Sequence, residues 1–337
     1  MAVPEKEFPI LSEVTGVAIP VSGSVSVGGR QFLVRDGVLR AIEYVSQSQA
    51  QTSDVFGYKW NRRDTFESAN ARSVMRDWLR ARYGEPSDMP WLQDDAVLVD
   101  IGCGAARSSV ELFGDRLKQV RFIGTDISAA IDVAADSFSS AGLNGEFIQC
   151  DLNALPFRDE SCDVLFSEGV LHHTDSTKAA FERTARLVKP GGRFMFYVYR
   201  KKGPIREFTD DYIREKLQGF SPEHAWKAME PLTKLGIAFG ELNAKITVTE
   251  DVELLGIKAG EYDVQRFLYW NVVKMFYRPD LTFDEMAHIN FDWFAPVNAH
   301  RQTEQEVRKW CDDCGFDVER EVVEEAGITV IARKRER

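Results

Sequence analysis

Two glycines that follow an apolar run, in the segment LVDIGCGAARSS at 98–109, are the first residues whose types and spacing suggest chemistry. Glycine lets the backbone approach a ligand closely and turn into a helix. Asp100 precedes this turn, Asp126 ends the next apolar run, and Asp151 ends the third. A lone glycine pair also fits a simple tight turn. Because ligands of open parallel sheets bind at the carboxyl ends of the strands, three acids at successive strand ends predict a nucleotide site.

The spacing of the glycines distinguishes two classes of nucleotide. A dinucleotide site has the pattern G-x-G-x-x-G, whereas here Gly102 and Gly104 are followed by Ala-Ala-Arg in place of a third glycine. An acid two residues before the first glycine repels a pyrophosphate but attracts an ammonium group. Charge therefore favours S-adenosylmethionine over NAD, and an NAD-dependent oxidoreductase stays as an alternative function.

Four segments, taken in order, resemble the successive motifs of the class I S-adenosylmethionine-dependent methyltransferases, in their small-molecule "type 11" branch. The segments are VLVDIGCG, GTDIS, CDLNALPFRDESCDVLFSEGVLHHTDS and LVKPGGRFMFYVY. The resemblance covers roughly 95–200 and 303–333. It implies a Rossmann-like α/β fold whose doubly wound, mostly parallel sheet has seven strands in the order 3-2-1-4-5-7-6, with strand 7 antiparallel. Ala106 departs from the third glycine that many members carry.

The resemblance also assigns residues to S-adenosylmethionine, with S-adenosylhomocysteine as the product. Asp126 is expected to bind the ribose hydroxyls, and Glu168 and His172 to lie close to the sulfonium. The other expected cofactor residues belong to the methionine, ribose and adenine positions: Asp100, Gly102, Cys103, Gly104, Ile127, Asp151 and Leu152.

The elements that must position these residues divide the chain into three parts. Residues 1 to about 50 read as a few short antiparallel strands with turns. With the stretch that follows they form a predicted β-rich module, 1–62, which resembles a zinc-ribbon-like module that has lost its cysteines and holds no metal. Residues 63–200 and 301–337 alternate strand and helix and form the predicted cofactor-binding core. Residues 201–300 interrupt this alternation with helical patterns, which predict a substrate cap, a dimer face, or both.

Smaller sequence features have both a functional and a structural interpretation. Tyr58 and Trp60, in the stretch FGYKWNR, are predicted to fold over the cofactor, although packing between module and core explains them equally well. Cys311 and Cys314 have the spacing of half a zinc site, but no second pair completes it, and a helical face is the simpler interpretation. No metal is therefore predicted.

Methyl transfer from a sulfonium requires an aligned nucleophile and, for a hydroxyl acceptor, a base. His172 and His173, in LHHTDS after the fourth strand, are the first candidates for that base, and His288 is the other. A helix cap or packing against the cofactor explains one of the pair equally well. The predicted substrate residues come from the fifth core strand and the insertion: Tyr197, Tyr269, Trp270, Asp292 and His300.

Composition restricts the partners. The 337 residues include 53 acidic and 42 basic ones, a formal net charge of −11, which opposes binding to nucleic acid. The N-terminal residues lack an export signal, and no run of 18 apolar residues occurs, so we expect a cytoplasmic protein without membrane contact.

The expected function is methylation of a small, sugar-like or secondary metabolite, first at oxygen, with nitrogen or carbon as alternatives. Methylation of RNA or protein stays as an alternative, as does a non-catalytic cofactor-binding protein. A homodimer through residues 201–300 is also predicted.

Overall fold

The computed structural model describes residues 7–41 and 46–336 of the chain. The strands, in chain order, are β1 (Gly23–Val27), β2 (Arg30–Arg35), β3 (Val38–Ala41), β4 (Val97–Ile101), β5 (Arg121–Asp126), β6 (Glu146–Gln149), β7 (Cys162–Glu168), β8 (Val188–Tyr199), β9 (Lys245–Val248), β10 (Gly260–Asp263), β11 (Phe316–Val323) and β12 (Gly327–Lys334). The α-helices are α1 (Pro9–Thr15), α2 (Gln47–Asn61), α3 (Ala69–Tyr83), α4 (Arg107–Phe113), α5 (Ala130–Ser140), α6 (Thr177–Ala185), α7 (Pro204–Leu217), α8 (Pro222–Glu241), α9 (Val264–Asn271), α10 (Phe283–Phe294) and α11 (Glu304–Asp313).

The core of the main sheet has the predicted strand order. Across the sheet the strands run β6-β5-β4-β7-β8-β12-β11, parallel from β6 to β8, and β12 is antiparallel to β8. Strand β4 is buried along its whole length; Val97 and Val99 belong to one apolar cluster and Leu98 to another. Because successive side chains of a strand point to opposite faces, both faces of the sheet are covered. The doubly wound α/β prediction is confirmed.

The N-terminal strands extend this sheet to ten strands among the described residues, three more than predicted. Strand β3 pairs in parallel with β6, and β2 and β1 follow antiparallel. The Glu146 carboxylate at the start of β6 accepts hydrogen bonds from the backbone N–H groups of Ile10 and Leu11, at 2.9 and 2.6 Å, which fixes α1 to the same edge. The N-terminal part is thus continuous with the core sheet, and its zinc-ribbon likeness stays a prediction. Residues 1–6 and 42–45 of that predicted module lie outside the described residues.

The insertion after β8 contains helices α7 to α10 and the β9–β10 hairpin. Helix α10 packs against α8 and α2, so the insertion lies over the carboxyl side of the core. Within the predicted helical patterns of 201–300, the aromatic stretch VQRFLYWNVVKMFY is helical only over α9. Tertiary hydrogen bonds replace the helical ones beyond it: Phe276 N–H donates to Asn290, and the Gln265 amide donates to the Met275 carbonyl, at 2.9 and 2.7 Å.

No described helix is both long and apolar enough to cross a membrane. The same part of the chain holds no group of three or more His, Cys, Asp or Glu side chains arranged around one metal position.

Candidate active site

The glycine turn after β4 has a geometry that other residues would disturb. Gly102 and Gly104 have φ values of +70° and +53°, where side chains are strained. A Cβ atom at Gly102 would overlap the side chain of Val170, and one at Gly104 would lie 2.5 Å from the Trp60 indole nitrogen. The turn is therefore closed on two sides by neighbouring side chains, and glycine is required to keep its shape.

Asp126, at the end of β5, connects that strand to the glycine turn. Its Oδ2 accepts the Gly104 N–H at 2.8 Å, and its Oδ1 accepts both the N–H and the hydroxyl of Ser128, at 2.8 and 2.6 Å. Burial raises the pKa of Asp126, against the effect of these hydrogen bonds. The carboxylate is thus held in one orientation at the edge of the sheet where the nucleotide is expected.

The two other acids at strand ends, Asp100 and Asp151, are buried beneath the edge of the sheet that carries Asp126. Asp100 accepts a hydrogen bond from the Ser109 hydroxyl at 2.6 Å, and burial raises its pKa to about 7. Asp151 accepts the Asn153 N–H at 2.7 Å through one oxygen, while its other oxygen is buried without a partner among the described residues. Both support the strand ends, and neither lines the cavity described below.

Glu168, at the end of β7, is held by two residues that sequence reasoning missed. The Tyr83 hydroxyl donates to it at 2.5 Å, and the Arg82 guanidinium lies 3.3 Å away. Arg82 is 1% exposed, and its guanidinium stacks over Trp78 and Tyr197. No local pattern indicates this contact, because the residues that Arg82 and Tyr83 meet are far away along the chain.

A cavity of about 600 Å³ opens at the carboxyl ends of the parallel strands and extends into the insertion. The predicted residues that line it come from both regions: Trp60, Gly102, Asp126, Ile127, Leu152, Glu168, His173, Tyr197, Tyr269, Trp270, His288 and Asp292. The cavity therefore joins the expected cofactor position to the expected acceptor position.

Other predicted residues are placed elsewhere. Tyr58 packs against Trp226 and Phe291, at ring centroid distances of 6.2 and 5.8 Å, and does not cover the cavity. His300 lines a separate cavity of about 300 Å³. The remaining ones, which do not line the large cavity, are Asp100, Cys103, Gly104, Asp151 and His172.

An ion pair between a buried lysine and a half-buried aspartate links α2 to the insertion. Lys59 Nζ lies 2.5 Å from Asp292 Oδ1, and the Tyr199 hydroxyl lies 3.3 Å from the other oxygen. Burial alone would raise the pKa of Asp292, but Lys59 holds it well below its usual range. Lys59 lies between Tyr58 and Trp60 in FGYKWNR. The two aromatic residues have a predicted role, whereas the role of the lysine depends on a partner more than 200 residues away.

The three candidate bases differ in their surroundings. His172 is fully buried, stacks on Tyr199 at 3.6 Å, and both of its ring nitrogens lack a hydrogen-bond partner in the described chain. The structure therefore does not support His172 as a base, because neither nitrogen faces the cavity.

His173 does line the cavity; its Nδ1 lies 2.6 Å from the Asn298 carbonyl oxygen and so must carry the proton. Its Nε2 is left without a proton but is itself buried, and burial lowers its pKa to about 4.

His288 is the histidine best placed to accept a proton. The Thr65 hydroxyl donates to the Arg62 carbonyl at 2.6 Å, so in its 2.7 Å contact with His288 Nδ1 it must accept. Nδ1 therefore carries the proton, and Nε2 presents a lone pair from a side chain that lines the cavity. Burial lowers the pKa of His288 well below its usual value, so the ring is neutral at pH 7.

Comparison with known proteins identifies the core. Residues 99–196 match the family model described as "Methyltransferase domain". A probable tRNA methyltransferase 9B from Bos taurus is 34% identical over 137 residues, which cover 39% of this chain and 26% of that protein. The tRNA (carboxymethyluridine(34)-5-O)-methyltransferase ALKBH8 from Mus musculus is 29% identical over 129 residues, 37% of this chain and 18% of that protein.

A third relative has a different kind of acceptor in its name. The malonyl-[acyl-carrier protein] O-methyltransferase of Marinomonas sp. (strain MWYL1) is 33% identical over 109 residues, 32% of this chain and 39% of that protein. Among solved structures, the magnesium protoporphyrin IX methyltransferase (ChlM) of Synechocystis PCC 6803 aligns with a TM-score of 0.46 at 14% identity, over 85% of this chain and 99% of that one.

The matched region is limited, since the chain spans about a quarter of the length of the first of these relatives and the family model ends before the insertion. Within that region, the matched motifs coincide with the strands that carry the glycine turn and the acids. Residues 99–196 therefore form a methyltransferase domain, in a sheet with the strand order expected for the class I S-adenosylmethionine-dependent methyltransferases.

Proposed function

We propose that this chain transfers a methyl group from S-adenosylmethionine to a small-molecule acceptor. The observation that carries the proposal is the single cavity of about 600 Å³ that reaches from the glycine turn to the insertion, a size typical of small-molecule sites. When bound, S-adenosylmethionine would supply an electrophilic methyl group. A nucleophile of the acceptor takes this methyl group in line, and S-adenosylhomocysteine is the leaving group. The protein's task is then to hold and align the acceptor.

The residues that would hold the cofactor fit its chemistry. Asp126 offers a fixed carboxylate for hydroxyl groups, and Ile127 and Leu152 offer apolar surface for a base. Gly102 has no Cβ atom, and a Cβ atom there would overlap the side chain of Val170. The Trp60 side chain of α2 lies against the glycine turn at Gly104. This position supports the prediction that Trp60 covers the bound cofactor.

The acceptor side would be formed by the insertion. Tyr197, Tyr269 and Trp270 contribute aromatic surface, and Asp292 contributes a carboxylate held by Lys59. A hydroxyl acceptor loses a proton during transfer, and the free Nε2 of His288 is the group we assign to take it. His173 is the alternative base, because its Nε2 also lacks a proton.

The second candidate function is methylation of a macromolecule, and the relatives' names favour it. Two of them are named for tRNA and one for an acyl-carrier protein, so they give no support to the prediction that nucleic acid is excluded. The formal net charge of −11 opposes a polyanion. The matched segments cover about a third of this chain, whereas the acceptor side of the cavity includes residues of the insertion beyond the family match.

Transfer of labelled methyl groups discriminates these functions. The protein is incubated with methyl-labelled S-adenosylmethionine and, separately, a small-molecule extract, total tRNA and an acyl-carrier protein, with heat-denatured protein as the inactive control. Label in the extract that the control does not produce supports the proposal. Label in tRNA or carrier protein alone overturns it in favour of the second function. Binding of S-adenosylhomocysteine with no transfer to any of them indicates a non-catalytic cofactor-binding protein.

Two further features stay predictions. Phe208 and Tyr212 are exposed on α7 with their rings stacked at 6.3 Å, which supports a homodimer through residues 201–300. The cytoplasmic location rests on the sequence alone.

A further inference from the structure

Two lysines at the insertion side of the cavity lack a carboxylate partner. Lys274 is 7% exposed and lines the cavity, and its ammonium lies 4.6 Å from the centre of the Trp293 ring. The ammonium of Lys202 lies 5.6 Å from the same ring and donates to the backbone carbonyls of Glu325 and Ala326. Neither lysine is in an ion pair within the described residues, which cover all of the insertion.

One carboxylate on this side, that of Asp210, is already engaged. Asp210 Oδ2 accepts hydrogen bonds from Arg206 Nε at 2.7 Å and from Trp293 Nε1 at 2.8 Å. Among the described residues, its other oxygen accepts a hydrogen bond only from the backbone N–H of Lys274, at 3.5 Å. Since Asp292 is paired with Lys59, neither Lys202 nor Lys274 has an ion-pair partner of its own among the described residues.

An uncompensated ammonium inside a protein is costly, because it loses its water without gaining a counter-charge. Burial lowers the pKa of both lysines to about 7, so each ammonium is only partly charged near neutral pH. A ligand anion that entered the cavity would restore both the hydrogen bonds and the charge, and charge-assisted hydrogen bonds are the strong ones. The arrangement is therefore suited to an anion.

We propose that Lys202 and Lys274 bind an anionic group of the acceptor, a carboxylate or a phosphate. The inference rests on the proposed function, since it takes the acceptor to occupy the insertion side of the cavity. Trp270 and Tyr269 line the same side and offer flat surface for the body of that molecule. The anion then fixes one end of the acceptor while the other end reaches toward His288.

Calorimetric titration tests the site with two probe anions, inorganic phosphate and succinate, added to protein saturated with S-adenosylhomocysteine. The wild type is expected to bind at least one of them. Tighter binding of phosphate indicates an acceptor with a phosphate group, and tighter binding of succinate indicates an acceptor with a carboxylate. Lys274→Met and Lys202→Met are each expected to weaken that binding at least tenfold. Lys227→Met, which removes an exposed lysine of α8, is expected to leave it unchanged.

The pH dependence provides a second readout. Succinate affinity is expected to fall as pH rises from about 6.5 to about 9, because the lysines lose their charge, and to fall less in Lys274→Met. The charged groups that face these lysines are Lys59, Arg206, Asp210, Asp292 and Glu325.

Two results overturn the inference: no binding of either anion by the wild type, or equal binding by Lys274→Met. Titration of S-adenosylhomocysteine into the protein alone separates this failure from that of the proposed function. If the nucleoside binds and the anions do not, only the anion site is wrong. If the nucleoside does not bind, the proposed function fails, and the anions are then titrated into the free protein.

Discussion

The two sides of the cavity are built differently. On the cofactor side, the polar groups come from strand ends between residues 100 and 168, and neighbours close along the chain satisfy several of them, as Ser128 and Gly104 do for Asp126. On the acceptor side, charged residues far apart in sequence meet, as in the pair of Lys59 with Asp292. The cofactor side has a fixed shape before any ligand binds, whereas the acceptor side retains charges that a ligand would neutralise.

This difference separates what the domain shares with its relatives from what is particular to this chain. The family match covers 99–196, which includes the strand ends but neither α2 nor the insertion. Substitutions on the cofactor side should therefore change cofactor affinity, and those on the acceptor side should change turnover and stability. The predictions below test that division, from the largest expected effect to the smallest.

His288→Gln is expected to lower turnover at least a hundredfold and to leave S-adenosylhomocysteine affinity within twofold, because the variant loses a base but keeps a polar side chain. Single-turnover methyl transfer to a hydroxyl acceptor found by the labelling assay measures it. His224→Gln, an exposed change on α8, is the matched control. Unchanged turnover in His288→Gln would transfer the assignment to His173.

Asp292→Ala is expected to lower the free energy of unfolding by about 3 kcal/mol, because it leaves Lys59 buried without its counter-charge. Chemical denaturation at neutral pH measures the loss, and adding Lys59→Met should recover much of it. The exposed pair of Asp251 with Lys258 supplies the control, since exposed ion pairs contribute little and Asp251→Ala should cost much less than Asp292→Ala. Equal losses for the two aspartates would contradict the account.

The sign of the pH effect follows from the lowered pKa of Asp292. Above the ordinary aspartate pKa the carboxylate is charged in both the folded and the unfolded chain, and the stabilisation by Lys59 is complete. It is lost as pH falls toward the folded-state pKa, because the unfolded chain takes up the proton first. Wild-type stability should therefore fall more steeply below about pH 4 than that of Asp292→Ala.

Gly102→Ala is expected to weaken S-adenosylhomocysteine binding at least tenfold, since the new methyl group overlaps Val170 beside the turn. Gly256→Ala is the matched control: its φ of +71° imposes the same backbone strain, but nothing lies within 4 Å of its Cβ position. Calorimetry measures both. Similar losses in the two variants would show that backbone strain alone explains the effect.

Lys274→Met is expected to raise the free energy of unfolding of the ligand-free protein by about 1 kcal/mol, because it removes an uncompensated buried charge. The folded-state pKa near 7 lies below the usual lysine value, so between about pH 7 and pH 10 the unfolded chain binds more protons and wild-type stability rises with pH. Denaturation at several pH values should show a smaller rise in the variant. A destabilised variant would indicate that Lys274 serves the fold.

Much of the cofactor side could be predicted from the sequence because consecutive residues determine it. The glycine turn, Asp126 and Ile127 all follow buried strands directly, and the strand order followed from the resemblance. The contacts of α2 were less predictable, because neighbours on this one helix face different partners. Tyr58 packs on Phe291, whereas Lys59 and Trp60 line the cavity.

Other features depend on contacts that no local pattern contains. His172 and His173 are adjacent, yet only the second lines the cavity, because the first is stacked beneath Tyr199. The pairing of β3 with β6 made the N-terminal strands an extension of the main sheet, and nothing in residues 38–41 indicates which edge they join.

The central claim is that the cavity binds S-adenosylmethionine at the strand ends. Calorimetric titration of S-adenosylhomocysteine, with NAD as the comparison ligand, tests it most directly. We predict saturable binding of S-adenosylhomocysteine at one site per chain, reduced at least tenfold in Asp126→Ala, and no binding of NAD. Binding of NAD without S-adenosylhomocysteine, or equal affinity in the wild type and Asp126→Ala, would contradict the account.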